Sequence, residues 1–220
     1  MNNKVENTIK INKLAKSWGV NIIGISDLEI FKNDLRNEIN SFIFNTYKYA
    51  IVLGAEYGNI STKATGDETS LFLEEVAFKM MMQITEKEHY HSLIIHTEDE
   101  FDPRNRMGLL PLKALAKGAG IGWQGRSLLI VSPDFGPLHR LIAILTDMPL
   151  EVNDYIENNC KDCTLCIEKC PPNALKFNNF NDHPEKRDDV LDFEKCNGDN
   201  GCKICIMVCP WFKQNTVNLN

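Results

Sequence analysis

Eight cysteines fall between residues 160 and 209 of a 220-residue chain. The first four run Cys160-x2-Cys163-x2-Cys166-x3-Cys170, with Pro171 directly behind. Three thiolates two residues apart on a tight loop can grip three corners of one iron–sulfur cube. The fourth, after a longer gap and at a proline expected to start a helix, points elsewhere. The second four, Cys196-x5-Cys202-x2-Cys205-x3-Cys209 before Pro210, repeat the pattern with a longer first gap. In paired runs of this kind the fourth cysteine serves the other cluster. One 4Fe–4S cluster is therefore assigned Cys160, Cys163, Cys166 and Cys209. The other takes Cys170, Cys196, Cys202 and Cys205, with Cys196 placed by elimination. Zinc and disulfides are the alternative readings. Zinc sites favour separated pairs of close cysteines, and bridges need an oxidising compartment.

The spacing is that of bacterial ferredoxins, and it predicts a small ferredoxin-like module over 156–220. Residues 1–155 then require their own explanation, since electron carriage alone does not need them. NIIGISD (21–27), YAIVLGAEY (49–57), HSLIIHT (91–97), SLLIV (127–131) and RLIAILTD (140–147) read as strands. A helix is expected over 6–18. A second begins at Thr65-Gly-Asp-Glu68, which has the form of a capping box. Its inner face is Phe72, Val76, Met80 and Ile84, and the run Met80 to Met82 reads as core filler. LPLKALAKGA (110–119) is a short helix. Strands interleaved with helices predict an α/β layer in front of the cysteines. His89, His91 and His96 cluster near the third strand and read as surface histidines rather than metal ligands.

Gly120-Ile121-Gly122-Trp123-Gln124-Gly125 has the GxGxxG form of a dinucleotide site. That site needs a strand before it and a helix after it. Here the order is reversed, which excludes the NAD reading. Two readings stay open: a backbone that a large ligand can approach closely, or a tight helix-to-strand turn.

GAGIGWQGRSLLI (118–130), taken with ILTDMPL, CTLCIEKCPPNAL and GCKICIMVCPW, resembles the epoxyqueuosine reductase family, which is related to the cobalamin-dependent reductive dehalogenases. WGVNIIGISD and YAIVLGAEY are similar to that family's first two strands. The resemblance implies a nitroreductase-like core that binds a corrinoid, with two 4Fe–4S clusters feeding electrons to its cobalt. It assigns Gly120, Gly122, Trp123, Gln124, Gly125, Arg126 and Ser127 to the corrinoid region. It also implies an acidic proton donor upstream of AGIGW. Counting back reaches Arg106, so Asp99 and Asp102 of TEDEFDPRNR are the candidate donors. No helical repeat extension follows Trp211, so the chain reads as a short form of the family.

Formal charge is −6 and no Lys/Arg block exceeds two residues, which sets against nucleic acid as a partner. The polar start MNNKVENTIKINKL lacks the apolar run of an export signal, and LIAIL is too short to span a membrane. A cytoplasmic protein without membrane attachment is expected, supplied by an external low-potential electron donor. The leading reading is a cobalamin-dependent iron–sulfur reductase of a small molecule, an epoxyqueuosine-like substrate or the corrinoid itself. The competing reading is a non-enzymatic electron carrier that docks a partner redox enzyme. A flavin in the core is a third.

Overall fold

The computed structural model describes residues 3–31, 38–56, 66–96, 110–198 and 201–212. In chain order the elements are α1 (Asn3–Ser17), β1 (Ile22–Asp27), α2 (Glu38–Thr46), β2 (Tyr49–Glu56), α3 (Gly66–Met82), β3 (Ser92–Ile95), α4 (Leu112–Gly118), β4 (Trp123–Gln124), β5 (Ile130–Val131), β6 (His139–Thr146), α5 (Leu165–Glu168) and α6 (Ile204–Met207). Contacts divide the chain into two units. One is Met1–Gly120 with His139–Tyr155; the other is Ile121–Leu138 with Ile156–Asn220.

The first unit is built on a four-stranded sheet in the order β1-β2-β6-β3. Alternation sorts its side chains. Ile25, Ile51, Leu53, Ile142 and Ile144 join Ile11 and Ala15 of α1 and Leu73, Val76, Ala77 and Met80 of α3 in one apolar cluster. The opposite parity, including Ala50, Val52, Ala143 and Leu145, is equally buried. A strand covered on both faces needs a continuous apolar run, and YAIVLGAE of β2 is one. Helix α4 closes against β1, where a Cβ on Gly24 would lie 2.1 Å from the Ala119 carbonyl.

Helices do alternate with strands, but every pairing in this sheet is antiparallel. The β1-to-β2 connection shows the cause. Leu28, just after β1, donates its N–H to the carbonyl of Lys48, just before β2, at 2.9 Å. The connection thus closes at the strand end it left, and the next strand must run back. The methionine run divides too: Met80 is fully buried, whereas Met82 is exposed.

The fourth expected strand does not join this sheet. Of SLLIV only Ile130 and Val131 are extended, paired with Trp123 and Gln124. Leu128 turns instead, with φ +61° and its N–H on the Gly125 carbonyl at 2.8 Å. This hairpin belongs to the cysteine unit. Segment 121–138, expected in the front domain, groups by contacts with the cysteines. The other described residues of that unit form loops, two four-residue helices, a 3-10 turn at Arg187–Asp189 and a small apolar centre of Ala174, Leu175 and Val190.

Candidate metal centre

From Leu165 and Ile204 onward the two cysteine runs fold alike. Lys169 N–H reaches Leu165 O and Val208 N–H reaches Ile204 O, each at 3.0 Å. Cys170 N–H meets Ile167 O, and Cys209 N–H meets Ile206 O, each at 3.2 Å. Asn173 and Phe212 then donate to Cys170 and Cys209 at 3.0 and 2.9 Å. Each run is thus a loop, one helical turn and a tight turn holding the fourth cysteine. The corresponding prolines open turns rather than helices, a correction to the expectation at Pro171. A helix there would need successive N–H donors, and the Cys170 carbonyl is instead taken by Asn173.

All eight thiols are free and partly buried. Cys160, Cys163, Cys166 and Cys209 line one cavity together with Arg126, Pro210 and Trp211. Cys205 also reaches its wall. The electrostatics tie Cys205 to both groups. Burial pushes the Cys166 thiol up to about 12, and the charges of Cys160, Cys205, Cys163 and Cys209 act the same way. Cys209 is raised by burial, with Cys160 and Cys163 adding to it, while the backbone N–H groups of Trp211 and Phe212 oppose the rise. Cys205 is raised by burial, then by Cys196, Cys202 and Cys170. Cys205 thus stands between the two groups, beside Cys166 on one side and Cys196, Cys202 and Cys170 on the other. Among the described residues no three Cys, His, Asp or Glu side chains converge as a single ion requires. Four thiols standing around a cavity suit a cube of irons, whose thiolates are held further apart. Raised thiols must release protons to bind iron, so assembly is coupled to pH.

The segment 120–127 packs chiefly into the protein itself. Gly120 is left-handed, with φ +64°, and a Cβ there would lie 2.3 Å from the Asp154 carbonyl. At Gly122 a Cβ would lie 2.1 Å from the Val131 carbonyl, because β5 runs against it. Close backbone approach is thus real, but the approaching group is the protein's own strand. Trp123 is buried and meets Trp211 edge-on, ring centroids 4.9 Å apart. A Cβ on Gly125 would stand 3.5 Å from Cys160 Sγ. Arg126 donates to Asn178 O at 3.0 Å and Lys161 O at 2.6 Å. Of the seven residues that the resemblance assigns to a corrinoid, only Gly120, Gln124 and Ser127 are half-buried rather than buried.

Sequence reasoning missed Asn158 and Trp211. The Asn158 side chain accepts from Cys160 N–H at 2.9 Å and donates to Gln124 O at 3.1 Å, tying the cysteine loop to β4. An asparagine two residues before a cysteine motif was the available signal. For Trp211 it was an aromatic directly after Cys209-Pro210. Asp99, Asp102 and Arg106 lie outside the described residues. His91 pairs with Asp147 at 2.8 Å and His96 with Glu74 at 2.6 Å, both histidines being exposed.

Comparison with known proteins agrees with this geometry. The family described as 4Fe-4S dicluster domain matches residues 159–212. An epoxyqueuosine reductase of Aliivibrio fischeri is 33% identical over 113 residues, which cover 46% of this chain and 30% of that protein. The chain therefore spans under a third of the curated relative it matches. In fold, an epoxyqueuosine reductase solved with an epoxyqueuosine-modified tRNA-Tyr stem loop superposes with a TM-score of 0.67. That match is 18% identical and covers 94% of this chain and 65% of that one. A reductive dehalogenase, whose structure was described as suggesting a mechanism for B12-dependent dehalogenation, gives a TM-score of 0.65 at 19% identity, covering 94% and 32%. No helix among the described residues is long and apolar enough to cross a membrane. The chain is a relative of the epoxyqueuosine reductases, with a 4Fe–4S dicluster domain near its C-terminal end.

Proposed function

We propose that the chain is an iron–sulfur reductase in which two 4Fe–4S clusters relay single electrons from an external low-potential donor to a corrinoid. The observation that supports the two-cluster reading is the pair of cysteine runs, which turn on matching hydrogen bonds and match a 4Fe-4S dicluster domain. Cys209 lines one cavity with Cys160, Cys163 and Cys166, with Cys205 at its wall, and Cys196, Cys202 and Cys170 act on Cys205; this is consistent with a fourth ligand exchanged between the runs. Each cube takes three thiolates from one run and one from the other, so neither forms without both runs folded. Anaerobic reconstitution should yield about eight irons per chain. Cys163→Ala should lose the first cluster and keep most of the second. Iron analysis showing both clusters intact overturns the assignment.

The corrinoid rests on the resemblance and on the B12-dependent dehalogenation named for one structural neighbour, and less on the residues the resemblance assigned to it. Bound cobalt would supply a strong reductant or nucleophile, and the protein's part is position, electrostatics and proton supply. Gly122, Trp123, Gly125 and Arg126 are committed to packing within the cysteine unit. That observation favours keeping a second reading, an electron carrier whose front unit docks a partner. Titration of the holoprotein with cob(II)alamin, followed by EPR, separates the two. A saturable one-to-one change of the cobalt signal supports the reductase, and no change supports the carrier. For the substrate we favour an epoxyqueuosine-like or other small molecule. The net charge of −6 weighs against a polyanion, and a tRNA stem loop belongs in the same assay as competitor.

A further inference from the structure

Arg126 is 8% exposed, and it lines the cavity ringed by Cys160, Cys163, Cys166 and Cys209. Its terminal nitrogens donate to two neutral carbonyls, Asn178 O at 3.0 Å and Lys161 O at 2.6 Å. Its guanidinium carbon lies 5.1 Å from the Phe177 ring centroid. Nε is buried and has no hydrogen-bond partner among the described residues. Carbonyls satisfy donors, but they do not neutralise a charge. Among the described residues no carboxylate pairs with this side chain, and a cation taken out of water needs a counter-charge. The group the cavity is built to take supplies one. An oxidised 4Fe–4S core of charge +2 held by four thiolates carries net −2, and reduction by one electron makes it −3.

Resting on the two-cluster reading above, we infer that Arg126 is the counter-ion of the first cluster and raises that cluster's reduction potential. A neighbouring positive charge favours the more negative, reduced form, so the electron shared by the pair is biased toward the cluster of Cys160, Cys163, Cys166 and Cys209. Arg126 acts on the potential through its charge. It forms no bond to iron and moves no proton. The carbonyl of Lys161 fixes where that charge sits, since Lys161 directly follows Cys160 and holds a left-handed φ of +46°. This gives Arg126 a role distinct from the corrinoid contact that the resemblance assigned to it.

The test is an EPR-monitored reductive titration of reconstituted holoprotein with dithionite, for wild type, Arg126→Gln and Arg126→Lys. Cys163→Ala, lacking the first cluster, shows which couple is which. The iron count and the number of couples in wild type examine the two-cluster reading by themselves. Fewer than two couples overturns that reading before Arg126 enters. With two couples present, Arg126→Gln should weaken reduction of the first cluster at least tenfold, about 59 mV for a one-electron couple. The second couple should stay in place, and Arg126→Lys should keep the wild-type value. Both couples unmoved, or both shifted together, would make Arg126 a clamp between two loops and overturn the inference. If Arg126→Gln fails to assemble the first cluster, Arg126→Lys decides. Lysine keeps the charge but not the two-pronged fork. Assembly at the wild-type potential supports the inference, and failure to assemble or a lowered potential overturns it.

Discussion

The two units answer the problem of stability in opposite ways. In the first, Ile51, Leu53, Leu73, Met80, Ile142 and Ile144 are fully buried. Each aliphatic side chain of this size contributes about 1.5–3 kcal/mol on burial. In the second, α5 and α6 have four residues each and no buried residue. Leu165, Phe177 and Met207 stay exposed. Helices this short do not persist alone, because nucleation costs more than one turn returns. With only a small apolar centre around Trp123, Ile130, Leu175 and Val190, the cysteine unit is expected to depend on the bonds its thiols make. One unit should therefore be indifferent to iron and the other dependent on it.

The contrast breaks most visibly on iron removal. Anaerobic chelation should abolish slow hydrogen exchange throughout the cysteine unit while β2 and β6 stay protected, because metal binding and folding are one equilibrium there. Protection surviving in both units would show that the second is self-supporting. The reverse experiment is Ile51→Ala, which leaves a cavity against Ile25 and Ile144, its partners in register. It should cost about 2–5 kcal/mol in urea unfolding of the front unit, with the iron content of the folded protein unchanged. A smaller loss, about 1–3 kcal/mol, is expected from Gly122→Val, whose added atoms meet the Val131 carbonyl. Iron content should fall with it. Full cluster content together with weakened cobalamin binding would instead return Gly122 to the cofactor.

The smallest effect is in the first unit and depends on pH. Lys10 Nζ lies 3.0 Å from both carboxylate oxygens of Glu88 and, with Gln83, holds that carboxyl below its ordinary 4.5. A lowered carboxylate stabilises the fold above its ordinary value, and the gain is lost as pH falls through the lowered one. Lys10→Met should cost about 0.2–1 kcal/mol near neutrality and nothing once Glu88 is protonated. Equal costs at both pH values would mean that the lysine acts through its apolar stem.

Local spacing was legible in the sequence. The cysteine runs, the helices of α1, α3 and α4, and the strands β1, β2, β3 and β6 follow from periods of a few residues, which a short peptide already carries. The rejection of a dinucleotide site rested on element order, and the structure shows the same order: α4, then β4 and β5. What had no local signal was the choice of neighbour. The order β1-β2-β6-β3 depends on which remote strands share a core, and its antiparallel sense depends on a connection that closes from Leu28 to Lys48. The transfer of 121–138 to the cysteine unit depends on Trp123 meeting Trp211, 88 positions away in sequence. Sequence by itself determined which atoms could bind iron, because ligand chemistry and loop reach are local. Only the tertiary structure decided what fills the space beside Gly122 and where the charge of Arg126 lies, because those positions are set by packing between distant segments.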